Sequence, residues 1–269
     1  MLSFTDQLGR MIHLPSYPSR IISLVPSQTE LLFDLGLHDE VVGITKFCVH
    51  PHHWFQTKTR VGGTKNINME TIQSLRPEVI VANKEENTRE QIEALIKQYP
   101  VWISDVHDLE TALQMIVKVG EFTHKTPKAI HLAEQIQSKF GQLPGSLNGQ
   151  RPRGKLRTAY LIWKDPYMTV GGDTFIHAIL EACGLKNLFE HHTRYPEINI
   201  ADLQTANCQL LFLSTEPYPF AQKHIEQLKG QLPNTKVVLV DGEMFSWYGS
   251  RLLQAADYLE KLLRDCLKV

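Results

Sequence analysis

Three histidines and two aromatic rings fall within eight residues at Phe47-Cys48-Val49-His50-Pro51-His52-His53-Trp54. Such a set can offer ring faces, from Phe47 and Trp54, to a flat macrocycle, and a neutral imidazole nitrogen, from His50, to a metal. The competing reading is a surface loop with incidental histidines, and it is preferred for His52 and His53. A tetrahedral zinc site needs more ligands converging from elsewhere, and His191-His192 is the other histidine pair that could supply them. A second group is Phe245-Ser246-Trp247-Tyr248-Gly249-Ser250-Arg251. Here Phe245 is a candidate ligand contact, Trp247 could cover a macrocycle face, and Arg251 could hold a propionate, amide or phosphate edge. Alternatively Phe245 and Trp247 are core beneath the last helix, and Arg251 is a helix-end charge.

A third group, Trp163-Lys164-Asp165-Pro166-Tyr167, leaves a β-like run. Trp163 is either core, because the strand before it is apolar, or a ligand contact, and Tyr167, beyond the proline, is read as exposed to the cleft and a candidate ligand contact. Gly171-Gly172 permits close backbone approach but is no phosphate loop, since neither the lysine nor the glycine spacing of one is present. Asp173-Thr174 starts a helix. Tyr195-Pro196 precedes the second of two Ile-Asn dipeptides. Glu85-Glu86-Asn87 ends a strand. Adjacent acids there make a poor wall for an anion and a better one for an amide-rimmed ligand, so Glu85 joins the candidates.

These groups sit on a repeated framework. The run from Arg20 to Ser27 leads into an apolar helix ending at Gly36-Leu37, and "INMETIQSLRPEVIVAN" follows from Ile67. The run from Thr158 to Trp163 leads into a helix ending at Gly184-Leu185, and "INIADLQTANCQLLFLS" follows from Ile198. In each half an Ile-Asn dipeptide opens a helix that feeds a buried strand. Ser27 with Glu30 three residues on reads as a capping box, which starts the first helix at Gln28. Asn87-Thr88 caps a helix that carries Ile92, Leu95 and Ile96. "FTDQLGRMIHLP" reads as a hairpin, and Leu109 to Phe122 as an amphipathic helix. Thr126-Pro127 opens a helix with apolar Ala129, Ala133, Ile136, Phe140 and Leu143, a four-and-three spacing that makes one helical stripe. "PGSLNGQRPRG" reads as a loop, and Leu252 to Leu267 as the final amphipathic helix. The expected fold is α/β: two similar lobes with parallel sheets covered by helices. The expected domains are a lobe over 1–125, a connecting backbone helix over 126–143 and a lobe over 155–269, with the ligand cleft between lobes. A stiff helical connector should restrict lobe closure.

Composition removes several classes. The chain has 269 residues, enough for two cores, with Lys plus Arg 28 against Asp plus Glu 29. That balance leaves no basic stripe for nucleic acid, and no apolar run is long enough to span a bilayer. "MLSFTDQLGRMIHLP" has no cationic segment followed by an apolar core, so it is not a signal peptide. The chain is therefore read as cytoplasmic or as an exported protein whose leader was replaced by Met1. Its four cysteines are widely spaced and form no CxxC, so they imply neither compartment.

"RIISLVPSQTELLFDLGLHDEVVGITKFC", the His50-Pro51 that follows it, "NMETIQSLRPEVIVA" and "TVGGDTFIHAILEACGLKNLF" resemble the helical-backbone substrate-binding proteins of ABC importers, closest to the cobalamin-binding branch. The resemblance spans nearly the whole chain. It implies capture of a metal chelate, most simply a corrinoid, by a monomer that delivers it to a membrane permease from the periplasm or cell envelope. It favours Phe47, His50 and Tyr195 as ligand contacts. It also implies one permease-docking glutamate on each lobe, at Glu30 and Glu181; two exposed carboxylates would set orientation and encounter rate. The chain departs from the branch where ligand-flanking tryptophans are replaced by Thr64 and Lys84. Haem or an iron–siderophore is the alternative cargo, and a cytoplasmic corrinoid carrier the alternative role. A chelatase-like enzyme is a further class. Against it, the sequence holds no nucleophile–base pair, no Gly-x-Ser-x-Gly and no cluster-type cysteine spacing.

Overall fold

The computed structural model describes residues 1–143 and 154–267. These divide into two compact units. The first comprises residues 1–106, 110–137 and 247–252; the second comprises 107–109, 138–246 and 253–269, as far as those residues are described. The loop expected over 144–154 lies outside the described residues except for Gly154.

The first unit opens with the expected hairpin, β1 (Leu2–Thr5) against β2 (Met11–Leu14). Then come β3 (Ile21–Ser23), α1 (Pro26–Asp34), β4 (Val41–Ile44), α2 (His52–Thr57), β5 (Thr59–Arg60) and α3 (Met69–Leu75). They are followed by β6 (Val79–Asn83), α4 (Arg89–Ile96), β7 (Val101–Ser104) and α5 (Leu109–Phe122). Its sheet is parallel throughout, in the order β5-β4-β3-β6-β7. α6 (Thr126–Gln142) starts in this unit and its last residues belong to the second.

The second unit holds β8 (Arg157–Leu161), β9 (Tyr167–Met168), α7 (Phe175–Ala182), β10 (Lys186–Asn187), β11 (Glu197–Ile198) and α8 (Ile200–Thr205). It continues with β12 (Leu210–Ser214), α9 (Gln222–Lys229), β13 (Lys236–Val240), α10 (Glu243–Ser246) and α11 (Leu252–Leu267). Its main sheet, also parallel, runs β10-β8-β12-β13. That order repeats β4-β3-β6-β7 position for position, so the duplicated pattern in the sequence is a duplicated topology.

The Ile-Asn pairs explain how each repeat is pinned. Asn68 accepts a hydrogen bond from the Thr71 N–H at 2.9 Å. Asn199 accepts from the Asp202 N–H at 3.0 Å, and Asp202 accepts in return from the Asn199 N–H at 2.7 Å. Each cap satisfies helix donors that otherwise have no partner and stabilises by ~1 kcal/mol. Ile67 and Ile198 pack against the apolar cores of their own units.

Two expected caps take another form. α1 begins at Pro26, with Val25 as its cap and no side-chain bond. Proline at the first helical position needs no N–H partner, so Ser27 lies inside the helix and no capping box forms. α4 starts after Thr88 without a side-chain cap, and the Asn87 amide is committed instead to the Asn83 N–H and the Thr64 carbonyl. The Gly36 stop holds: it adopts φ +88°, a left-handed conformation that glycine takes without strain. All five residues of the α6 stripe are buried, Ala129, Ala133, Ile136, Phe140 and Leu143.

Candidate ligand-binding site

In a parallel sheet, ligands bind outside the C-terminal strand ends. Each unit gathers candidate residues there.

In the first unit, β4 runs into the loop Thr45–His50. Cys48 anchors it: its Sγ lies 3.0 Å from Thr29 Oγ1 and 3.1 Å from Thr45 Oγ1, fully buried. Burial pushes the Cys48 thiol above its ordinary range, with the two threonine hydrogen bonds opposing. This is an inert structural thiol. Pinning Cys48 inward turns its neighbours outward, so Phe47 is 50% exposed and Val49 38%. The Lys46 ammonium sits 5.1 Å from the Phe47 ring centre. His50 is half-buried, and its ring meets the edge of Trp247 at 5.5 Å and 74°.

Trp54 is not the second ring face that the sequence suggested. It is 2% exposed and packs edge-on against Phe33 at 5.3 Å. His53 lies exposed against the same Phe33 at 5.2 Å, and His52 is exposed too, as the surface reading holds.

The loop after β6 is an asparagine turn. Asn83 Oδ1 accepts the N–H groups of Glu85 and Glu86 at 2.8 and 2.9 Å. Glu85 thereby projects to solvent at the strand end, and the adjacent Lys84 pairs with Asp105 at 2.6 Å.

Arg251 and Glu30 are where expectation and structure part. Arg251 is 7% exposed and Glu30 8%. Arg251 Nε donates to Glu30 Oε2 at 2.8 Å, and Nη2 donates to Oε1 at 2.6 Å. Glu30 is therefore not an exposed docking carboxylate, and the Arg251 fork does not reach out to a ligand edge. The two residues are 221 positions apart in sequence, beyond any local pattern. Trp247, 8% exposed, lies beneath the Arg251 guanidinium at 4.7 Å.

In the second unit, the residue after β8 settles the other way. Trp163 is 41% exposed, not core, and meets the edge of Tyr218 at 5.6 Å and 73°. Tyr167 is half-buried at the start of β9, packed on the unit's core, and burial raises its hydroxyl pKa. Tyr195 is half-buried with the Arg194 guanidinium 5.7 Å from its ring centre. The glycine pair serves this same wall. A Cβ on Gly171 would come within 2.4 Å of the His192 carbonyl, and one on Gly172 within 2.1 Å of the Glu190 carbonyl. Only glycine lets the two segments exchange the Gly171 N–H to Arg194 and Gly172 N–H to His192 bonds.

Phe245 is not a ligand contact but core, 1% exposed, against Tyr160 at 5.0 Å and Phe212 at 5.6 Å. Glu181 is exposed, with Lys155 Nζ at 3.8 Å and His177 Nε2 at 3.5 Å. Tyr218 went unnoticed in the sequence. Its signal is Glu216-Pro217-Tyr218-Pro219 directly after a buried strand, the loop position that Glu85 occupies in the first repeat. Among the described residues, no group of three or more His, Cys, Asp or Glu side chains is arranged to hold a metal ion. The His191-His192 pair therefore has no zinc partners there. No described helix is long and apolar enough to cross a membrane.

Each of the two units is a parallel α/β sheet with aromatic rings at its strand ends. The sequence profile of the periplasmic binding protein family matches residues 21–233, and the chain belongs to that family. Among its relatives is a vitamin B12-binding protein of Photorhabdus laumondii subsp. laumondii, 25% identical over 251 residues, 92% of this chain and 89% of the relative. The solved periplasmic vitamin B12-binding protein BtuF of Vibrio cholerae superposes with TM-score 0.78 at 21% identity, over 95% of this chain and all of that one. The periplasmic haem-binding protein BhuT, solved with two haems, gives TM-score 0.81 at 20% identity, over 93% and 99%. Both structures share this fold.

Proposed function

We propose that this chain is the substrate-binding component of an ABC importer, that it acts in the periplasm or cell envelope as a monomer, and that its cargo is a metal chelate, foremost cobalamin or another corrinoid. It binds and hands over; it does no chemistry on the cargo. The carrying observation is the pair of exposed rings at strand ends, Phe47 in the first unit and Trp163 in the second. A flat partner laid on such a face buries the apolar area of the ring and gains a stacking contact. Glu85, Tyr167, Tyr195 and Tyr218 supply hydroxyl and carboxylate groups suited to an amide rim. The vitamin B12-binding relative supports the corrinoid. Titration calorimetry with cyanocobalamin, haemin, a ferric siderophore and zinc tests the reading. Tight cyanocobalamin binding is expected, and no tight binding to any of the four rejects it.

Haem is the second reading, favoured by one observation: His50 is a half-buried imidazole at a strand end, able to approach a chelated iron axially. Haemin binding with a Soret shift that His50→Ala abolishes would establish it.

Permease docking needs exposed acids on both units. Glu181 remains available and Glu30 does not. The repeat offers a matched pair in Glu70 and Asp202, both exposed in the first turns of the Asn-capped helices α3 and α8. We assign docking to this pair, with Glu181 as an auxiliary acid. Reversing Glu70 and Asp202 together should abolish transport and leave chelate affinity intact; retained transport refutes the assignment.

A further inference from the structure

Residues 247–252 belong to the first unit, although the residues on either side belong to the second. The segment lies close against α1. A Cβ on Gly249 would come within 2.9 Å of the Ser27 carbonyl oxygen and 3.5 Å of Leu31 Cβ. Two residues on, Arg251 makes its two-point bond to Glu30, with side-chain exposures of 8% and 11%. The same guanidinium plates Trp247 at 4.7 Å, and Trp247 meets His50 at 5.5 Å. The contacts form a relay that starts inside α1 and ends at the imidazole of the candidate site.

We propose that Glu30 and Arg251 are positioning residues, which act through Trp247 to hold the His50 ring in the orientation that ligand meets. Three features support this. A buried ion pair adds little net stability over apolar residues of the same size, so stability alone is a weak reason for one here. A forked guanidinium bound at two points has one plane, which a lysine ammonium lacks; the two-point bond fixes where that group sits over the Trp247 ring. An imidazole already held against Trp247 loses less freedom when ligand arrives, which improves affinity without any new contact. The assignment rests on the reading of His50 as a ligand contact, but the relay is testable in ligand-free protein.

The test records the Trp247 indole N–H and the His50 ring signals by NMR in the ligand-free protein, assigned by their loss in Trp247→Phe and His50→Gln. Glu30→Gln and Arg251→Lys should each shift or broaden both signals while far-UV circular dichroism stays native. The reversed pair, Glu30→Arg with Arg251→Glu, should restore part of both. Affinity for cyanocobalamin or haemin, whichever the wild type binds, should fall about tenfold in the single variants. A purely structural pair would lower stability and leave the His50 signal in place, and that result overturns the proposal. If Glu30→Gln does not fold, Arg251→Lys, which keeps the charge and loses the fork, decides. If the wild type binds no chelate, the functional reading fails, while the His50 and Trp247 signals still decide the relay.

Discussion

Gly120 sits in α5 where α6 packs closest, and replacing it by alanine sets two effects of opposite sign against each other. Alanine in a helix interior is favoured over glycine by ~1 kcal/mol. Against that, the added methyl would lie 2.3 Å from Ala129 Cβ and 3.2 Å from the Lys125 carbonyl oxygen. Non-bonded carbons prefer about 3.5–4.0 Å, so α5 and α6 must separate by more than an ångström. Both atoms are Cβ carbons, so no rotamer change can relieve the clash. Ala129 is fully buried, and the Lys125 N–H to Gly120 carbonyl bond of 2.7 Å at the same turn would be strained. Overpacking of this kind costs ~1–3 kcal/mol, and the rigidity of the contact places it at the upper end. The expected net loss is ~1–2 kcal/mol, a fall in melting temperature of about 3–8 °C. Urea unfolding followed by circular dichroism would measure Gly120→Ala, Ala129→Gly and the double variant. Each single variant should destabilise, and the double should return close to wild type, because the methyl has only changed sides. A more stable Gly120→Ala, or two effects that simply add, refutes the argument.

Trp163→Ala should weaken chelate affinity about tenfold, the loss of one stacked aromatic face, with stability nearly unchanged because the ring is already 41% exposed; calorimetry and a thermal melt on one sample read both. Asn199→Ala removes both bonds of the α8 capping box and should cost ~1 kcal/mol, whereas Asn199→Asp, which still accepts, should cost less in the same urea titration. His224 is buried, and that burial, with Lys164 and Lys223 nearby, holds its pKa below the ordinary histidine value. The unfolded chain then binds a proton that the folded one refuses. Its contribution is complete above pH ~6.5 and is lost as pH falls from there toward the folded value. His224→Gln should flatten the decline in urea midpoint between pH ~7.5 and ~5.5, and an unchanged slope would assign the acid sensitivity to other groups.

The features readable from residue order are those with short-range causes. Leu109–Phe122 ends where its apolar period ends, and the two Ile-Asn caps work because donor and acceptor are three residues apart. The duplicated strand order follows from this, since each repeat brings the same caps and the same buried runs to its own sheet. Aromatic exposure was not readable in this way. Trp54, Trp163 and Trp247 all lie close after apolar strands in sequence, yet Trp54 is 2% exposed, Trp163 41% and Trp247 8%. The difference lies in what packs over each ring: Phe33 for one, a strand-end loop for another, Arg251 for the third. Glu30 shows the same limit most sharply. Its neighbours spelled a capping box, but its partner is Arg251, and a contact across that much chain exists only once tertiary folding has brought the two groups together in a geometry good enough to offset their desolvation.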